Sequence, residues 1–478
     1  GEAEYAFRHA LVREAAYGML LDDDRALGHR LAGEWLENAG EREALVLAEH
    51  YERGRAPDRA VGWYRRAAEQ ALGGNDLDAA LARAEQGVHL GATGAALGAL
   101  RAVEAEAYKW RGDHARAEAC AHEAMRYIPR GDPRWYAAAG ELLFALTMRR
   151  DVEGLEAMID EVCEPPPDDD TSCAQVVTVA RLARSLLLAG RGERLGAIVE
   201  WLTRASVCPV GADPTAAAVT YELRAFQQGF EGDPDVSDDL MAAAAGFERA
   251  GNLRVACVQR VNLGCVYSEL GCYDEAERAL RDALATADRM GLHNVSAGAR
   301  NNLGLVLARR GRLEEALALE REAVARCTIL GDARMAGGSR LYVAQILAWQ
   351  GRFTEAESAA REALGSLGEV PALRAHALAV LSGALLAQGA NRQTEALAAA
   401  REAVELMDSI GGIDEGEAAV RLAYVEALDA CGEQEPAREA LAVARARLLA
   451  RAARVRDVTR RERFLTEVAE NARTLARG

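Results

Sequence analysis

The sequence predicts an all-α fold: a right-handed superhelical solenoid of antiparallel helix pairs with a period of about 40 residues. Three observations predict it. From Leu253 to about Met407 the chain matches itself at a shift of 40 residues. Gly271, Gly311 and Gly351 recur at that spacing, as do Ala276, Ala316, Ala356 and Ala396, and again Ala283, Ala323, Ala363 and Ala403. Each unit reads as an apolar helix, a Gly-containing turn, a second helix with Glu-Ala near its start, and a connector. Half of all residues are hydrophobic but only 5% are aromatic, and Ala and Leu dominate, which favours helix. No run alternates with period two in the manner of a strand. Small residues at the recurring positions let two helices approach closely, and each turn glycine supplies a left-handed helix cap.

The repeat resembles the tetratricopeptide repeat (TPR). Leu263-Gly264 is followed by Tyr267, Ala276, Leu280 and Ala283. The next unit has Leu303-Gly304, Leu307, Ala316, Glu320 and Ala323, and the third has Val343-Ala344, Leu347, Ala356, Ala360 and Ala363. The period exceeds the common repeat of about 34 residues, which longer helices and connectors absorb. About twelve helix pairs are expected along the chain.

Composition excludes several classes of function. The net charge of −17 argues against general nucleic-acid binding, which needs a basic footprint. No apolar run approaches a membrane span, and no basic-then-apolar leader opens the chain. A cytoplasmic location is expected. Nine cysteines are scattered without a Cys-x-x-Cys pair, which fits reduced packing thiols. Lys109 is the only lysine, and it sits in Tyr108-Lys109-Trp110 with no glycine loop before it. Neither a P-loop nor a protein-kinase site is therefore present. No catalytic residue, cofactor or metal site is expected. Asp168-Asp169-Asp170 lacks the alternating ligands and central Gly of a calcium loop.

In chain order, residues 1–42 do not read as a repeat. They carry Phe7-Arg8-His9-Ala10-Leu11-Val12-Arg13 with Tyr17, then an acidic turn at Asp22-Asp23-Asp24, then a helix with His29, Leu31, Trp35 and Leu36. This pattern, ahead of a repeat array, resembles the end of the nucleotide-binding module in STAND-class signalling ATPases. The resemblance implies an ATPase upstream, often with a serine/threonine kinase, and the opening Gly1 agrees with a fragment. His9 is expected to pack between helices. Degenerate pairs follow over 43–211, where Gly112, Ala117 and Ala124 keep the offsets of Gly271, Ala276 and Ala283. Asp76 is placed to cap one helix and Pro57 to start another. The segment Pro165 to Asp170 reads as an exposed loop, and Val207 to Pro214 as a second connector. Regular repeats are expected over 212–433. Capping helices are expected over 434–478, where nine arginines fall between Arg438 and Arg463.

The first helix of each pair should line a concave surface that takes a protein or peptide. Repeat offsets assign Val261, Asn262, Cys265, Asn301, Asn302, Leu305, Arg309, Tyr342 and Gln345 to it. Asn262 and Asn302 occupy equivalent positions, and an amide there offers both a donor and an acceptor to a peptide backbone. In peptide-binding members of the family an Asn at this point often contacts the ligand, so Asn262, Asn301, Asn302, Arg309, Tyr342 and Gln345 are the expected groove residues. The paired lysines of a carboxylate clamp are missing. The expected function is a non-enzymatic sensor and interaction array of a larger bacterial signalling protein, acting with upstream domains of the same chain. The alternative is the inducer-binding array of a maltose-activator-like transcription regulator.

Overall fold

The computed structural model describes residues 9–164, 172–189, 191–205, 213–368, 370–410, 412–413 and 415–477. Phe7, the segment 165–171 and most of the second connector, with Cys208, lie outside them. The described residues form 25 α-helices and no strand. They fall into two compact units, divided after Ala189.

The first unit holds α1 (Ala10–Gly18), α2 (Asp22–Asn38), α3 (Ala44–Arg53), α4 (Pro57–Gly73), α5 (Leu77–His89), α6 (Gly94–Arg111), α7 (His114–Tyr127), α8 (Pro133–Arg149), α9 (Val152–Cys163) and α10 (Cys173–Leu188). Local chemistry sets the boundaries. Asp76, Asp113, Asp132, Asp151 and Ser172 each accept a backbone N–H as N-caps, and Pro57 and Pro133 sit in first turns. Asp22, Asp23 and Asp24 form the first turn of α2 rather than a turn before it. Carboxylates there complement the positive end of the helix dipole. His9 is exposed and precedes α1, so the expected packing role is not seen. Lys109 is spent on structure: its ammonium lies 2.5 Å from buried Glu141 and over the Trp110 ring.

The second unit holds α11 (Leu195–Ala205) and then the regular pairs: α12 (Pro214–Phe230) with α13 (Ser237–Arg249), α14 (Leu253–Glu269) with α15 (Tyr273–Arg289), α16 (His293–Arg309) with α17 (Leu313–Leu330), α18 (Ala333–Trp349) with α19 (Phe353–Leu367), and α20 (Pro371–Ala387) with α21 (Gln393–Ser409). It ends with α22 (Glu417–Ala430), α23 (Gln434–Arg454), α24 (Val458–Thr466) and α25 (Ala469–Ala476). From α12 to α23 each helix packs on its successor, and from α14 to α22 each first helix also packs on the next first helix. That pattern is a solenoid.

The recurring small residues are the closest points of approach. A Cβ added at Gly264 would stand 2.5 Å from Leu280 Cγ, and one at Gly304 would meet the Glu320 side chain. Ala276, Ala283, Ala316, Ala323, Ala356 and Ala363 are wholly buried. The turn glycines adopt the left-handed conformation, with φ of +71° at Gly271, +80° at Gly311 and +74° at Gly351. The next amide then bonds back to the helix, Cys272 to Tyr267, Arg312 to Leu307 and Arg352 to Leu347. The eight described cysteines are free thiols. No described helix is long and apolar enough to cross a membrane.

Two glycine substitutions test this packing with opposite signs. Gly264→Ala should lower the melting temperature of the second unit, at a cost of about 1–3 kcal/mol for the forced overlap. Gly298→Ala, where the added methyl meets only Met335 Cε at 3.8 Å, should raise it by up to about 1 kcal/mol of helix propensity. Thermal melts of the two variants decide the point.

Candidate functional site: the inner face of the second unit

Helices α14, α16 and α18 carry equivalent rows of side chains. Residues four or seven apart on one helix share a face. A shift of 40 therefore aligns Asn262 with Asn302 and Tyr342, Cys265 with Leu305 and Gln345, and Glu269 with Arg309 and Trp349.

The predicted residues divide into three groups. Asn262 and Asn302 are half-buried. Asn262 Nδ2 donates to Gln259 Oε1 at 3.4 Å, whereas the Asn302 amide has no hydrogen-bond partner among the described residues. Asn301 is buried in packing: its Nδ2 donates to Glu320 Oε2 at 3.2 Å and Ser339 Oγ at 3.0 Å, tying α16 to α17 and α18. Val261 and Leu305 are likewise core residues. Tyr342, Gln345 and Arg309 lie on the inner face but under other parts of the chain. Tyr342 is buried and its hydroxyl donates to Glu415 in the loop before α22. Gln345 is buried and its Oε1 has no partner. Arg309 holds Glu470 of α25 through two contacts of 2.7 and 2.9 Å, and its guanidinium stacks 4.7 Å from the Trp349 ring centroid.

The partner of Arg309 shows what the basic terminal stretch does. After α23 the chain turns back along the repeats. Arg460 meets Asp235 at 3.1 Å and Ser237 Oγ at 2.7 Å, and Arg463 lies 3.3 Å from Glu275. The Tyr273 hydroxyl donates to the Glu467 carbonyl at 3.3 Å. Phe464 packs with Leu270, Cys272, Leu448 and Val455. Asn471 Nδ2 donates to the Phe464 carbonyl at 2.7 Å and closes the α24–α25 turn. Arg460 and Arg463 of α24 are thus consumed by carboxylates of α13, α15 and their approaches.

Sequence reasoning missed Glu269, His376, Glu415 and Glu470. Glu269 was legible as the 40-residue equivalent of Arg309. The others carry no periodic signal toward this face, and Glu415 and Glu470 lie outside the clear repeats. Burial, reinforced by Glu415 and opposed by Arg451 and Arg309, pushes the Glu269 carboxyl up to about 8. Burial holds the His376 imidazole below its usual range, and both of its ring nitrogens lack partners. Glu320 is raised well above the usual carboxylate range by burial, against the Asn301 and Ser339 hydrogen bonds. Among the described residues no three His, Cys, Asp or Glu side chains are grouped to hold a metal.

Residues 254–328 match the tetratricopeptide repeat family model. No curated protein matches the chain in sequence. Among solved structures, a Rap protein complexed with competence and sporulation factor is similar at a TM-score of 0.51 and 13% identity, over 72% of this chain and 98% of that one. A Signal Transduction ATPase with Numerous Domains (STAND) protein with a tetratricopeptide repeat sensor, from Pyrococcus horikoshii, is similar at 0.51 and 14%, over 85% of this chain and 68% of that one. These likenesses show the fold, an all-helical solenoid, within which residues 254–328 match the tetratricopeptide repeat.

Two predictions follow from the buried acids. Glu320 has a raised folded pKa, so its contribution is complete below the usual carboxylate range and is lost as pH rises through the folded value. Glu320→Gln should therefore gain in melting temperature over the parent chain progressively as pH rises above the usual carboxylate range, read by parallel melts. Glu470→Gln leaves the Arg309 guanidinium without its counter-charge. Amide exchange across 458–477 should then accelerate at least about tenfold, with α4 and α5 unchanged.

Proposed function

We propose that this chain is the non-enzymatic sensor and protein-interaction array of a larger STAND-type signalling protein, and that it receives a protein or peptide segment on the inner face of its second unit. The observation that carries the reading is the row of polar side chains at equivalent positions of successive first helices, with the half-buried Asn302 amide left unpartnered. An unpartnered amide at the mouth of such a face is suited to a peptide backbone, since it supplies one donor and one acceptor. The match to the tetratricopeptide repeat supports an interaction role. The similar STAND protein is itself described as carrying such a repeat sensor.

Linkage to further domains has support in the first unit. Leu11, Met19, Leu21, Leu31 and Trp35 of α1, α2 and their connector are 55–84% exposed. Large apolar side chains exposed in this number on two successive helices favour a covering partner over solvent. In this reading they meet the upstream nucleotide-binding module, and a serine/threonine kinase lies further upstream as the output.

The chain as bait in host lysate should retain a protein partner. Asn302→Ala should weaken that retention at least about tenfold, the loss of one or two desolvated hydrogen bonds, with an unchanged melting temperature. Equal retention by the variant removes the inner face as the recognition surface.

A further inference from the structure

Carboxylates of the second helices and their approaches already pair with guanidinium groups of the same chain. Arg460 sits on Asp235 and Arg463 on Glu275. Deeper along the first helices stands a set of acceptors that nothing in the chain fills. Glu269 makes no hydrogen bond or ion pair among the described residues and is only partly exposed. Gln345 lies between Tyr342 and Trp349 on the same face of α18, is 5% exposed, and leaves its Oε1 unpartnered. His376 of α20 is 4% exposed, with both ring nitrogens unpartnered. Glu415 links them: it accepts the Tyr342 hydroxyl, and its charge acts on both Glu269 and His376.

Buried polar atoms without partners each cost about 1–3 kcal/mol, and native proteins seldom leave several in one place. The donors at hand are already committed, the Tyr342 hydroxyl to Glu415 and the Arg309 guanidinium to Glu470. What remains is two carboxylates, one amide oxygen and an imidazole. An anion would be repelled there, whereas a group that only donates hydrogen bonds and carries positive charge satisfies both carboxylates, the amide oxygen and the acceptor nitrogen of the imidazole.

We propose that Glu269, Gln345 and Glu415, with His376 beside them, bind the guanidinium or ammonium group of a ligand. The inference rests on the inner face being the recognition surface and names the chemistry it recognises. Glu269 faces Glu415 and Glu470 on one side of the balance and Arg309 and Arg451 on the other, and is held near pH 8. A bound cation favours its ionised form, so affinity rises between pH 6.5 and 8.5 with uptake coupled to proton release.

Titration calorimetry on the whole chain at low salt tests this with agmatine as a free cation, Gly-Arg-Gly as a peptide-borne one, and glutarate as the anionic control. The expected result is saturable binding of a cationic probe, none of glutarate, and at least about tenfold weaker binding in Glu269→Gln and Gln345→Leu. Agmatine alone binding identifies a free amine or guanidine; the tripeptide binding identifies a peptide side chain; either supports the site. Should Gln345→Leu fail to fold, the half-exposed Glu269→Gln carries the comparison. No saturable binding of either cation, or undiminished binding in the variants, overturns the proposal. Lysate capture that still depends on Asn302 would then show that only the ligand chemistry has fallen, while loss of both removes the recognition surface as well.

Discussion

Gly264 against Leu280, and Gly304 against Glu320, are contacts that admit no side chain at the glycine. Helix pairs this close must stay parallel to their neighbours in the stack, and the left-handed turns at Gly271, Gly311 and Gly351 repeat the reversal with little variation. Once the period is held at 40 residues, side chains at equivalent positions fall in rows on one face. The polar rows are thus a by-product of packing: the period that stacks the helices also aligns these side chains. The substitution of Glu320 for the apolar Leu280 and Ala360 at the same repeat position shows how far the frame tolerates polarity. A buried acid is accepted there because Asn301 and Ser339 supply hydrogen bonds and because burial raises its carboxyl well above the usual carboxylate range, which favours the neutral form.

Charge then decides what covers the inner face. The chain is acidic as a whole, yet its last helices are rich in arginine. Folding back lets Arg460 and Arg463 meet carboxylates near the start of the regular repeats, while Glu470 meets the one arginine of the Glu269, Arg309 and Trp349 row. Phe464 adds an apolar anchor against Leu270 and Val455. A terminal segment that only closed the stack would need a polar outer face and nothing more. This one makes specific ion pairs with residues of several repeats. The order of the Arg309 row is therefore coupled to the stability of residues 458–477 through Glu470.

The repeat period, the turn glycines and some helix starts were readable from the chain, though Asp22–Asp24 read as a turn and open α2 instead. Asp76, Pro57 and the turn glycines act where their residue types and spacings placed them, because capping depends on groups a few residues apart. Equivalent positions on first helices were readable for the same reason, since a shift of 40 is visible without coordinates. Which of those positions stay open was decided only in three dimensions. Asn301 turns into the packing between helices, Tyr342 is covered by the Glu415 loop, and Arg309 is taken by Glu470, 161 residues away. The gathering of Glu269, Gln345, His376 and Glu415 is of the same kind. Local rules of helix formation carry no information about contacts between a repeat and a non-repeating tail. Those contacts depend on where the whole stack brings the chain end, and only the tertiary structure determines that.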